Sequence, residues 1–251
     1  MHRLLVDSAL LEQDVVVLPK DAAHHLKVLR PKPHEEIELF DGRGRTRRYC
    51  WNASNGSLDA PQPLSVSTSS RLDLTLFACV TKGSRWDWTI EKAVELGVSR
   101  IVPVISDRCI VRLAADEREA KAERWRRIAE DAARQSDAVW LPEVLAAVDF
   151  PQALELVKTC DRVFVGALTN PPPPSLLEAV SRSLGSLESN NQTIRQSGRS
   201  LGLFVGPEGD FTPAELESLL AIAVPTSFGP TILRAETAAI FGLSVLAATQ
   251  H

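Results

Sequence analysis

Leu201-Gly-Leu-Phe-Val-Gly-Pro-Glu-Gly-Asp-Phe-Thr212 is the stretch that decides the fold class. Leu201 to Val205 is a short apolar run, the length of one buried strand. Gly206-Pro207-Glu208-Gly209 ends it in a tight turn, with two glycines and a proline in four residues. Thr212, Pro213 and Glu215 then occupy the N-cap, first and third positions of a helix, a capping box with proline where its missing N–H costs nothing. Strand, glycine turn and helix N-terminus in this order bring backbone N–H groups close to a ligand.

A second stretch, Phe228 to Ile240, answers the first. Gly229-Pro230 is another turn, and Arg234, Glu236 and Thr237 stand at the mouth of a helix that runs to about Thr249. Ala238, Ile240, Phe241, Leu243, Val245, Leu246 and Ala247 make that helix apolar on nearly every face. Such a helix is expected to be buried, in a large core or against another chain.

Strands and helices alternate from Leu72 onward. Strands are expected at Leu72–Val80, Arg100–Ile105 and Arg162–Leu168, and helices at Arg85–Leu96 (stopped by Gly97), Asp116–Ser136 (long, charged and exposed), Phe150–Val157 and Ser175–Leu184. This alternation implies an α/β domain with a mostly parallel sheet, residues 73–251. The polar stretch 185–200 has no period and reads as a mobile surface insertion. Residues 1–72 instead carry short runs at Arg3–Val6, Val15–Leu18, Glu36–Phe40, Thr46–Trp51 and Leu64–Ser67, with one helix from Asp21, its N-cap, to Leu29. Many short strands and one helix suggest a small β-barrel.

With 28 basic and 32 acidic residues the net charge is −4, so global charge does not point to nucleic acid. Arg30 and the arginines at 43, 45, 47 and 48 form a local basic cluster in the first domain. Cys50, Cys79, Cys109 and Cys160 form no C-x-x-C pair and read as separate reduced thiols of a cytoplasmic protein. The apolar run after Arg3 breaks at Asp7, too soon for a secretory signal, and no run reaches membrane-span length.

In open α/β sheets the loops at the carboxyl ends of strands build the ligand site. Leu168-Thr169, Gly206–Gly209 and Phe228–Leu233 are three such loops, suited to a flat, partly apolar ligand such as an adenine nucleoside. Neither G-x-G-x-x-G nor G-K-[ST] occurs. Glu208 and Asp210 have no histidine near them in sequence, so no metal site is expected. Arg234 and Glu236 read either as an ion pair at a helix start or as a catalytic pair. In the second case Arg234 stabilises developing negative charge, and Glu236 orients the substrate or takes a proton.

Taken together, the motifs resemble the SPOUT-class RNA methyltransferases, and among them the 16S rRNA (uracil-N3)-methyltransferases. The matching pieces are Val28-Leu-Arg30, Asp41-Gly42, Lys82-Gly83, Glu91-Lys92, Glu95-Leu-Gly-Val98, Ser106 to Arg108, Gln135-Ser136, Gly206-Pro-Glu-Gly209 and Ile232-Leu-Arg-Ala-Glu-Thr-Ala238. The resemblance implies an N-terminal PUA-like barrel that docks RNA and a C-terminal domain threaded into a trefoil knot. It implies a homodimer acting on 16S rRNA of the small ribosomal subunit, with neither membrane nor metal. S-adenosylmethionine (SAM) would lie against Leu168, Thr169, Gly206, Pro207, Glu208, Gly209, Phe228, Gly229, Ile232, Leu233, Thr237 and Ala238, and Arg3, Arg30, Arg43, Arg45 and Arg108 would hold phosphates. Three departures stand out: Asp210 where the family has a further glycine, Thr231 for an arginine, and Asp137-Ala138 for Gly-Arg. A SPOUT enzyme with another RNA or base as target, and a non-catalytic RNA-binding assembly protein, are the rival readings.

Overall fold

A computed structural model describes residues 1–67, 73–188 and 200–249. The chain divides into two compact units, Met1–Ser69 with Glu130–Leu141, and Ser70–Ala129 with Pro142–His251. The segment 130–141, which sequence reading assigns to the second domain, thus groups with the first unit.

The first unit is a mixed sheet of β1 (His2–Leu5), β2 (Glu36–Phe40), β3 (Arg45–Asn52) and β4 (Ser57–Asp59) in that order, with β5 (Ser65–Val66) on β3. β1 and β2 run parallel and the other pairs antiparallel. Leu4, Leu26, Ile37, Leu39, Tyr49 and Leu58 fill its core. Helix α1 spans Lys20–Leu29 and is capped by Pro19, so Asp21 is not the N-cap but a first-turn acid favoured by the helix dipole. Val15–Leu18 is not a strand: it contributes a single bridge, Val16 to Leu58, and a 3-10 turn, Ser8–Glu12, precedes it. The described strands end at β1 and β4, and a closed barrel remains an expectation of the resemblance. The 130–141 segment lies along the Asp41–Arg45 turn. Gly44 N–H donates to Val139 O at 2.9 Å and Leu141 N–H to Gly42 O at 2.8 Å. Gly44 has φ 89°, and a Cβ there would fall 2.4 Å from the Trp140 ring, so only glycine fits.

The second unit is a seven-stranded sheet in which every pair is parallel. Its strands are β6 (Asp73–Cys79), β7 (Arg100–Ile105), β8 (Glu143–Val144), β9 (Val148–Asp149), β10 (Arg162–Gly166), β11 (Ser200–Val205) and β12 (Val224–Thr226). Their spatial order is β12-β10-β11-β6-β7-β8, with β9 on β7. The helices are α2 (Ser84–Glu95), α3 (Ala115–Gln135), α4 (Phe150–Val157), α5 (Leu176–Glu188), α6 (Pro213–Leu220) and α7 (Ala235–Ala248). Strands buried on both faces explain the continuous apolar runs: Phe77 of β6 stacks on Phe204 of β11 with ring centroids 5.6 Å apart.

Two expectations need correction here, and a third is narrowed. α3 is not simply an exposed helix, because Ala122, Trp125 and Ala129 are buried and Trp125 meets Trp86 edge-on at 5.6 Å. α7 is not buried on every face within this chain: Ala235, Ala238, Ala239, Gly242, Leu243 and Leu246 are buried while Phe241 is exposed, which leaves that side to the second chain the expectation also allowed. Of the 185–200 insertion, residues 185–188 continue α5 and Ser200 opens β11, while 189–199 lie outside the described residues.

Candidate functional site

β12, β10 and β11 are neighbours and parallel, so their carboxyl ends lie side by side. The loops that leave those ends enclose a cavity of about 260 Å³. Gly166, Ala167 and Leu168 line it from β10, Val205 to Glu208 and Asp210 from β11, Thr226 to Gly229 from β12, and Thr231 to Ala235 with Ala238 from the approach to α7. Its wall is largely apolar, with Ile232 80% and Leu168 62% exposed. Glu208, Asp210 and Arg234 are its charged lining residues.

Local sequence fixes the loops. A Cβ on Gly166 would fall 2.4 Å from the Phe228 ring, so the end of β10 is flat where Phe228 lies against it. The Gly206–Gly209 turn is held from both ends. Thr212 and Glu215 form the expected capping box of α6, with Thr212 N–H donating to Glu215 Oε2 at 2.8 Å. The other oxygen, Oε1, accepts the Asp107 N–H at 2.9 Å. Arg108 Nη1 donates to the carbonyls of Gly209 and Phe211 at 3.2 and 3.1 Å. The loop after β7 therefore braces the turn after β11.

That loop also holds a thiol cluster. Cys79 Sγ donates to Ser106 Oγ at 3.4 Å, and Ser106 N–H donates to Cys109 Sγ at 3.3 Å. Cys79 and Cys109 are thus neighbours through Ser106, and all four cysteines are free thiols, as expected. Burial pushes the Cys79 thiol up, and the hydrogen bond from Cys79, with those from Ser106, lowers Cys109 to about 6.

Of the residues expected to face a cofactor, Leu168, Gly206, Pro207, Glu208, Phe228, Gly229, Ile232, Leu233 and Ala238 line the cavity. Thr169, Gly209 and Thr237 do not. Thr169 Oγ1 donates to Pro171 O at 2.9 Å, Gly209 faces Arg108, and Thr237 is exposed on α7. Arg234 lines the cavity, but Glu236 does not. Its Oε1 is 3.7 Å from Arg85 Nε, and Arg85 Nη1 is 3.6 Å from Glu208 Oε1. Sequence reasoning missed Arg85, although the Lys82-Gly83 turn beside it was singled out. It also missed Gly166, Thr226 and Ser227, which are strand-end residues next to the loops it named.

The arginines expected to hold phosphates divide. Arg3 is 5% exposed, donates to Glu38 Oε1 at 2.7 Å and to Ala133 O at 2.9 Å, and lies over the Phe40 ring. It is a core ion pair and cannot also reach a phosphate. Arg45 pairs with Glu12, and Arg108 is committed to the turn carbonyls. Arg30 and Arg43 are exposed with no ion pair among the described residues.

Comparison with known proteins agrees with this geometry. A family model described as RNA methyltransferase domain matches residues 68–247, and one described as RNA methyltransferase PUA domain matches residues 18–50. Ribosomal RNA small subunit methyltransferase E of Mycobacterium tuberculosis is 31% identical over 92% of this chain and 85% of its own. The protein of the same name from Bacillus subtilis is 34% identical, over 66% of this chain and 61% of its own. The crystal structure of ribosomal RNA small subunit methyltransferase E from Neisseria gonorrhoeae bound to S-adenosyl methionine superposes with a TM-score of 0.79 at 28% identity, covering 99% of this chain and 98% of that one.

Proposed function

This chain belongs to the RNA methyltransferase family, and from that premise we propose that it transfers a methyl group from SAM to N3 of a uridine in the 16S rRNA of the small ribosomal subunit. The observation that carries the reading is the cavity at the carboxyl ends of β10, β11 and β12, with Arg234 on its wall.

The cavity suits the cofactor. Leu168, Ile232 and Leu233 offer apolar faces to a flat base, while Glu208 and Asp210 offer carboxylates to its ammonium and sulfonium charges. Glycine at 166 lets the Phe228 ring lie against the end of β10, and glycine at 206 lets Phe211 pack beneath the turn, where a Cβ would fall 2.9 Å from its ring. Bound there, SAM supplies an activated methyl group, and the protein's task is alignment.

Uracil N3 carries a proton and is a weak nucleophile until that proton passes to water or a carboxylate base. The anion then spreads onto O2 and O4. Arg234 is placed to donate to that charge, an effect worth about 2.7–4 kcal/mol per donor. N3 then takes the methyl as its bond to sulfur breaks, leaving S-adenosylhomocysteine. N3 lies on the Watson–Crick edge, so the base must be unpaired or flipped to react. Arg30 and Arg43 remain as phosphate contacts of the first unit, which fits a PUA-like RNA-docking role. Exposed Leu168, Leu177, Ile232 and Phe241 on the second unit fit a homodimer contact. The knotted threading implied by the resemblance belongs to the same reading.

The test is methyl transfer from labelled SAM to small-subunit RNA. Arg234→Ala is expected to keep SAM binding and to lose about 100-fold or more in turnover. Unchanged turnover would remove Arg234 from the mechanism, and no transfer by the unaltered protein would favour the assembly-protein reading.

A further inference from the structure

Arg85 stands in the first turn of α2, Glu208 in the turn after β11 and Glu236 in the first turn of α7, so three separate elements meet at one guanidinium. Arg85 reaches the two carboxylates through different nitrogens, Nη1 at 3.6 Å and Nε at 3.7 Å. Glu208 lines the cavity, while the Glu236 side chain is only 12% exposed. Without a cation between them these two negative charges would repel. One oxygen remains unexplained: Glu236 Oε2 is buried and has no hydrogen-bond partner among the described residues. A buried carboxylate oxygen left unpaired is costly, so the Arg85 contact through Oε1 is what holds the Glu236 carboxylate in place.

We propose that Arg85 is a positioning residue for methyl transfer, tying the cavity-lining Glu208 to Glu236 and so fixing the Glu208 carboxylate where it accepts an N–H from a bound substrate. The proposal rests on the methyltransferase reading above. The N–H has two sources, the imide of the target uracil and the ammonium of SAM. Planar guanidinium geometry matters here, because a lysine ammonium at 85 would serve the two carboxylates less evenly.

The experiment compares unaltered protein, Arg85→Gln, Arg85→Lys, Glu236→Gln and Arg85→Gln/Glu236→Gln. It measures steady-state methyl transfer to small-subunit RNA, SAM affinity by calorimetry and thermal unfolding. Arg85→Gln is expected to lower kcat/KM by about 10- to 100-fold, the scale of a roughly 1 Å misplacement. KM for RNA should stay within about twofold, because the residue acts on alignment rather than on RNA docking. Arg85→Lys should recover part of the loss. The double variant should be no worse than the poorer single one, as expected for residues acting as a unit. A loss confined to kcat assigns the donor to the uracil imide, and weakened SAM binding assigns it to the cofactor. Arg85→Gln with unaltered kinetics, no recovery with lysine, or losses that multiply in the double variant would each overturn the proposal. Inactive unaltered protein would instead overturn the reading on which it rests.

Discussion

Asp137 and Asp210 both stand in the left-handed backbone region, at φ 57° and 60°. That region costs a non-glycine residue roughly 1–2 kcal/mol, less for aspartate, whose short side chain bonds locally. Asp210 Oδ1 accepts the Phe211 N–H at 2.8 Å, which offsets part of the cost. The resemblance places glycine at both positions, so these departures keep the family's backbone at some expense in stability. Asp210→Gly is therefore expected to stabilise the protein by about 0.5–1 kcal/mol, read as a rise in Tm, and a fall would mean that the carboxylate contact outweighs the strain. Arg3 and Arg43 are alike in sequence and opposite in setting. Arg3→Ala leaves Glu38 with only the half-exposed Arg48, whose Nε is 3.3 Å from Oε2, and should cost about 1–3 kcal/mol in denaturant unfolding. Arg43→Ala should leave stability within about 0.5 kcal/mol and weaken RNA binding, reducing the salt dependence of affinity by about one phosphate contact. Sequence alone could not separate them, since what divides them is an ion-pair partner 35 residues away for Arg3 and no ion pair among the described residues for Arg43.

The elements that were legible are those written in local chemistry. The Thr212–Glu215 capping box, the Gly97 stop and the apolar runs of β6, β7 and β11 appear where the sequence places them. β12 was not legible, because Val224-Pro225-Thr226 has three residues, a central proline and no apolar run. The apolar composition of α7 did not say which side faces its own sheet; contact with β11 and β6 decides that. Gly242 marks that contact: a Cβ there would fall 2.5 Å from Leu203. Gly242→Ala should destabilise by about 1–3 kcal/mol through overpacking, even though alanine is the better helix former. Chemical denaturation that finds this variant more stable would show that α7 can shift away from β11. Arg85 escaped sequence reading for the same physical reason. Its partners lie far along the chain, and only the packing of α2 beside α7 makes them neighbours.

At the scale of the whole chain, a net charge of −4 must coexist with RNA as a partner, so binding depends on the exposed cations of particular segments rather than on a global field. The apolar side chains left in solvent on the second unit, Ile232 at 80% and Phe241 at 41% among them, are expected to be covered in a dimer. Sedimentation of Phe241→Glu should then give a lighter species than the unaltered protein, and an identical pair of profiles would rule this surface out as the contact. The three loops, though not the β12 strand end, were readable from glycine, proline and capping residues, and they line one cavity. The chemistry of the acceptor was not, because it depends on which base enters. Incubating purified small subunits that lack the modification with SAM and the protein, digesting the RNA and separating its nucleosides by mass spectrometry tests this most directly. The account predicts one new N3-methyluridine per 16S rRNA; a methyl group on any other nucleoside, or none at all, would contradict it.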